Sequence, residues 1–394
     1  MTLFRQIGAV TWLSVSTISH RLGTSMVIVV GVAGVVGVLI SVLAMATGFL
    51  ASVTQTGHTD RAIVLRGGSI AELSSTIPRD AALTILDAPG VRHDAAGKPI
   101  GSAESVVIVD LQQKGSDTGA NVSLRGVGPQ AMELRPEIHL IAGRMFEPAV
   151  RELIVGKAAQ AQFKGLDLGA HIAFRDSDWT VVGVFESGGD AHESEMMADA
   201  ETVLSAYRRS LFESVSVQLD SDDAFDRFRD ALTTNPQLSV EVLRESAYFA
   251  RLSSRLGTVL KTIAYMVGGI MAVGALFGAL NTMYSAVSAR LMEIATLRAI
   301  GFGATAVVIS VFVESFLLSL AGGAIGAALA WVFFNGNAVN TLSSNFTQVV
   351  FHLTVTPGLI GLGIAWAVSI GLVGGLFPAI RAARLPVADA LRAG

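Results

Sequence analysis

The sequence predicts a membrane protein of four transmembrane α-helices with a large mixed α/β extracytoplasmic domain inserted between the first and second spans. Three observations carry this. Hydrophobic residues make up 51% of the 394 and charged residues only 15%, against about 25% charged in soluble domains. Four apolar runs, over 26–50, 262–288, 304–334 and 359–380, each reach the roughly 20 residues that cross a bilayer. Charge is also segregated: residues 52–257 hold 29 acidic and 20 basic side chains, and all other residues only 3 and 8.

Each element follows in order. Residues 1–24 are expected to form an amphipathic helix on the cytoplasmic face, with Leu3, Ile7, Val10 and Leu13 on one side and Trp12 suited to the interface. The first span, 25–50, has a core too long for a signal peptide and no small-residue cleavage pattern close behind it, so it reads as a retained anchor. In the outer domain, 51–257, strands are expected at 61–65, 106–111, 121–127, 171–174 and 179–184. The second and third of these pair across GSDTG and the last two around RDSD. Helices are expected near 78–86, 201–209 and 224–231, and an inserted subdomain over about 121–200. The segment from 244 continues as a stalk into the second span, 258–288. A short charged helix at 289–303, the third span at 304–334, an outer loop at 335–356, the fourth span at 357–380 and a tail at 381–394 complete the chain.

Basic residues orient it. Arg5, Arg21, Arg290, Arg298, Arg381, Arg384 and Arg392 all fall on the cytoplasmic side if both termini lie there, and 335–356 has neither Lys nor Arg. Arg251, Arg255 and Lys261 lie on the other side, which a large translocated domain tolerates.

The chemistry is sparse. There is no cysteine, which excludes disulfides and thiolate metal sites. No basic patch supports nucleic-acid binding. The stretch ESGGDAHESEMMAD, 186–199, gathers acids around His192. It matches neither H-E-x-x-H nor an EF-hand, so a solvated acidic loop, with no metal, is expected. No G-x-S-x-G or two-His motif offers a catalytic residue, and no G-x-x-x-x-G-K-[ST] phosphate loop occurs. Glu314 lies inside the third span, about 15 Å from its start at 1.5 Å per residue. A carboxylate there is costly and reads as a polar hub between helices, with no second charge in the spans to meet it. Gly31, Gly34, Gly274, Gly278, Gly322 and Gly326 allow close helix contact, within one chain or between two.

One pattern is more specific. RLMEIATLRAIGFGATAVVISVFVESFLLSLAGGAIGAAL, 290–329, carries Arg290, Glu293, Ile294, Arg298, Ala299, Ile300, Gly301, Glu314, Gly322 and Gly323. GLFPAIRAARLPVADALRAG, 375–394, carries Pro378, Ala382, Ala383, Pro386, Ala390, Leu391 and Arg392. Together they resemble the FtsX-like permease domain of MacB-type ABC transporters, and LRGVGPQ, IAGRMF and WTVVGVFESGG are similar to the outer domain of such permeases. The resemblance implies a bacterial inner-membrane subunit. In it Arg290, Glu293, Ile294 and Arg298 form a coupling helix that docks on a separate cytoplasmic ATPase, and Gly301 ends the helix. ATP and Mg would be held by that ATPase, with no cofactor on this chain. A second permease copy or paralogue, membrane lipid and a periplasmic membrane-fusion adaptor are the other implied partners. The implied task is mechanotransmission that drives export of a periplasmic substrate through an outer-membrane channel. Lipoprotein release of the LolC/LolE type, or FtsX-like activation of a cell-wall hydrolase, are the alternatives.

Overall fold

The structure is a computed structural model that describes residues 6–8, 10–12, 22–115, 118–175, 177–342 and 348–384. Leu3, Arg5, Leu13 and Arg21 of the expected leading helix, and Pro386, Ala390, Leu391 and Arg392 of the tail, lie outside these. Residues 6–8 and 10–12 are helical, with Val10 buried and Trp12 exposed.

In chain order, α1 (Leu22–Thr56) is followed by β1 (Arg61–Arg66), α2 (Arg79–Leu86), β2 (Gly101–Gln112), β3 (Gly119–Val127), α3 (Ala131–Leu134) and β4 (His139–Gly143). Then come β5 (Glu152–Gly156), α4 (Lys157–Gln162), β6 (His171–Phe174), β7 (Ser177–Glu186), β8 (Met196–Asp199), α5 (Ala200–Ala206), β9 (Ser214–Gln218), α6 (Ala224–Thr233) and β10 (Val240–Arg244). The chain closes with α7 (Glu245–Ala289), α8 (Leu291–Ala299), α9 (Ala304–Phe334), the strands β11 (Ala338–Leu342) and β12 (Gln348–His352), and α10 (Pro357–Arg384). Among the described residues, four helices are long and apolar enough to cross a membrane: α1, α7, α9 and α10. Two compact units result. One holds the chain up to Thr47, Val259–Asn337 and the chain from Leu353; the other holds Gly48–Thr258 with Ala338–His352.

The helical unit packs through small residues. Gly322 and Gly326 of α9 lie on the backbone of α1: a Cβ at Gly322 would stand 2.7 Å from the Val29 carbonyl, and one at Gly326 would strike that of Ala33. On α10, Gly363, Ala367, Gly371 and Gly375 recur every fourth residue, which puts them on one face. Gly363 meets Val36 and Ile40 of α1; Ala367, Gly371 and Gly375 meet Gly323, Ser319 and Ser315 of α9. Ser315 Oγ donates to the Gly371 carbonyl at 2.6 Å. Without Cβ atoms in the way the backbones come close enough for dispersion contacts and this bond, which hold helices together where lipid removes the hydrophobic drive.

In the outer unit β1 to β10 form one ten-stranded sheet in the order β10-β1-β9-β2-β3-β8-β5-β7-β4, with β6 on β7. β2 is the seam. Its first residues, Gly101 to Glu104, pair with β9, and from Ser105 to Gln112 it pairs with β3. On one side of the seam α2 and α6 cover a core of Val64, Ile85, Val215 and Phe228. On the other, Leu124, Val155, Phe163, Trp179 and Val181 form a second core. The expected hairpins are present: β2 with β3, and β6 with β7.

Within 335–356, β11 and β12 pair antiparallel and belong to the outer unit. One expectation fails here. The acidic stretch is not solvated. It forms a 3₁₀ turn, Ala191–Ser194, in which Asp190, His192, Glu193 and Ser194 are all under a tenth exposed. Burial is tolerated because N–H groups of the turn itself satisfy Asp190 and Glu193, while Glu195 is met from a distant strand. Arg125 of β3 sits at the seam and binds Glu195, Glu104 of β2 and Glu72, each at 2.8 Å at its shortest contact. Arg135 takes the other Glu104 oxygen at 2.6 Å.

Candidate functional site

Within the helical unit, the charged segment between α7 and α9 is built by local rules. Arg290 caps the start of α8, and Ile300 its end. Gly301 then adopts φ +100°, the left-handed conformation that glycine adopts without Cβ strain. Its N–H donates to the Arg298 carbonyl, and the Phe302 N–H to that of Leu297, each at 3.1 Å. This is the Schellman arrangement, which satisfies the last carbonyls and stops the helix sharply.

α8 has two faces. Ile294 and Ala295 are buried, whereas Met292, Glu293, Thr296, Ala299 and Ile300 are exposed. Arg298 is half-buried and donates to the Ala383 carbonyl at 2.9 Å, in the last turn of α10, where the helix dipole favours a cation. Gln6 Oε1 accepts from the Gly303 N–H at 3.3 Å.

Arg290 is placed differently from Glu293. Its guanidinium is buried and meets Glu314 of α9 at 3.0 Å, beside a cavity of about 30 Å³ lined by Val10, Met283, Ser310 and both charged residues. The spans hold no second charge for Glu314, and its partner comes from outside them. The partner comes from the loop: α8 folds back along α9, so Arg290 reaches a residue 24 positions on. A buried carboxylate without such a partner would be costly by several kcal/mol, roughly. Arg290 thus faces Glu314 inside the unit, while Glu293 stands on the exposed face.

The six glycines also divide. Gly322 and Gly326 are in the packing already described, but a Cβ at Gly31, Gly34, Gly274 or Gly278 would meet nothing within 4 Å. Sequence reasoning missed Gly363, Gly371 and Gly375, although their four-residue spacing was there to read. The buried charges of the outer unit it could not have found, because Arg125 and its carboxylates come from four separate segments.

Four apolar helices, an α/β domain between the first two and a capped charged helix between the second and third define a polytopic membrane protein with an extracytoplasmic-type domain. Residues 25–235 match the MacB-like periplasmic core domain and residues 265–387 the FtsX-like permease C-terminal domain. The chain belongs to this MacB-like, FtsX-like family of ABC transporter permeases. It is 24% identical, over 407 aligned positions, to the macrolide export ATP-binding/permease protein MacB of Bdellovibrio bacteriovorus, covering 94% of this chain and 59% of that protein. With the ABC transporter permease YknZ of Bacillus subtilis it shares 24% identity over 204 positions, 50% of this chain and 49% of the other. The chain therefore spans about half to three-fifths of the length of these relatives. The crystal structure of the periplasmic region of MacB from Actinobacillus actinomycetemcomitans aligns at 14% identity with a TM-score of 0.37, covering 54% of this chain and 97% of that one.

Proposed function

We propose that this chain is the permease subunit of a MacB-like ABC transporter in a bacterial inner membrane, with its termini in the cytoplasm. A separate cytoplasmic ATPase binds ATP and Mg and docks on the exposed face of α8. The observation that carries this is the division of labour in that helix. Arg290, Ile294 and Arg298 anchor α8 to α9 and α10, and Glu293, with Met292 and Ile300 beside it, is left to meet a partner. A helix tied to its own bundle at both ends transmits a push instead of absorbing it. Movement of the ATPase then passes through α8 into the bundle and along α1 and α7 to the outer domain, which drives export of a periplasmic substrate through an adaptor and an outer-membrane channel. A second permease copy or paralogue, and lipid, occupy the glycine faces left open at Gly31, Gly34, Gly274 and Gly278.

Co-purification tests it. The tagged chain, solubilised gently from its host, is expected to bring an ABC ATPase identified by mass spectrometry. Glu293→Arg and Ile300→Asp should lose that ATPase while keeping thermal stability within about 0.5 kcal/mol, as exposed sites do. An ATPase absent with wild type, or retained equally by both variants, would sink the proposal.

A further inference from the structure

The 187–195 turn of the outer unit touches α1, β5, β12 and α7. Ser52 Oγ, in α1, donates to the Gly189 carbonyl at 3.0 Å. Thr56 Oγ1, the last residue of α1, accepts from the Ala191 N–H at 2.9 Å. Ser194 Oγ accepts from the Val350 N–H of β12 at 2.9 Å. The Gly156 N–H, at the end of β5, donates to the Glu195 carbonyl at 3.0 Å. The His192 ring meets Phe249, in α7, edge to face with centroids 6.3 Å apart. Inside the turn, the N–H groups of Ser187 and Gly189 converge on Glu193 Oε1 at 2.9 and 2.8 Å, and that of His192 on Asp190 Oδ1 at 2.9 Å.

His192 is the one group of this turn whose ordinary pKa lies near neutrality, and its surroundings are acidic. Asp190 and Glu195 face it from its own turn, the latter with Oε2 3.1 Å from Nδ1. Glu245 acts on it from the start of α7. Arg135 opposes, and Arg125 reaches it only through Glu195. Its Nε2 is buried with no hydrogen-bond partner among the described residues, so a proton there is held by the surrounding negative charge alone.

We propose that the 187–195 turn is a proton-dependent clasp: with His192 charged it holds the ends of α1 and α7 that lie in the outer unit against the seam of the sheet, and loss of that proton loosens it. Although burial pulls His192 down, the Glu195 hydrogen bond and the Asp190 and Glu195 charges outweigh it and raise its pKa. The charged form therefore persists to higher pH than in a free imidazole and is lost above that.

Hydrogen exchange of the full-length protein in lipid nanodiscs tests this. Exchange is read by mass spectrometry between about pH 6 and pH 8 and corrected for intrinsic rates. In wild type, peptides over 187–195 and 52–58 should lose protection roughly tenfold across that range, the size of one charge-assisted hydrogen bond. His192→Gln should exchange at the fast level throughout. Asp190→Asn, which removes one of the facing charges, should shift the midpoint to lower pH, and it decides the matter if His192→Gln fails to fold. Protection that does not change with pH in wild type, a pH response that survives in His192→Gln, or a midpoint unmoved in Asp190→Asn would overturn the clasp.

Discussion

The outer unit and the helical unit each bury an arginine against carboxylate, and they do it to different ends. Arg125 is shared by three carboxylates from three segments, and every oxygen of Glu104 and Glu195 is bonded to a guanidinium or His192. No single movement of a neighbour frees it. Arg290 pairs with Glu314 of α9 at 3.0 Å inside the helical unit. Arg125 welds separate segments of a sheet, and Arg290 makes the joint between the start of α8 and α9.

The comparison can be broken by mutation. Arg125→Met would leave three carboxylates facing one another, and removing one partner of a buried ion pair costs about 3–5 kcal/mol. The melting temperature of the full chain should fall by roughly 6–20 °C, or no folded protein should be recovered. A shift of a degree or two would show that the seam does not depend on its arginine. Next in size is the joint. Arg290→Met and Glu314→Gln should each destabilise, and the double variant should cost less than the sum, because neither leaves a buried charge alone once both are gone. Additive losses in that cycle would mean the two do not act together.

Smaller still is the glycine contrast. Gly326→Leu forces α9 off the backbone of α1 and should cost about 1–3 kcal/mol, whereas Gly274→Leu should leave the melting temperature of the isolated chain unchanged and act, if at all, on association. The smallest effect is that of pH, and its sign differs at the two ends. Burial opposes ionisation of Glu137, but two hydrogen bonds from Arg61 prevail and hold it at about 2, below its ordinary 4.5. Guanidiniums likewise hold Glu104 and Glu195 low against burial. The stability these groups supply is present above about 4.5 and is lost as pH falls through their folded values. His192 is raised above 6.5, so its contribution is complete below that and is lost as pH rises through its folded value. Thermal melts across pH should therefore show a maximum between these limits, and a melting temperature that keeps rising to pH 8 would contradict it.

Much of the architecture was legible. Spans declare themselves by length and apolarity, the α8 stop by Gly301, and the β6/β7 hairpin by RDSD between two alternating runs, since each is a local rule. The acidic stretch misled because Gly188, Gly189 and a run of carboxylates are the local signature of a solvated loop; nothing within 186–199 reveals Arg125 or Thr56. The partner of Glu314 was hidden for the same reason, since it lies outside the spans.

By itself, then, the sequence determined what depends on neighbours along the chain: four apolar helices, the charge segregation that separates the outer domain from them, and a capped charged helix at 291–299. Only the tertiary structure decided which charges face which. Arg290 turned from the exposed face of that helix to Glu314, the fourth span's glycines met Ser315 and Ser319, and an apparently solvated His192 was buried between strands and helix ends. Charge and packing act through space, and the chain order of their partners leaves no periodic trace.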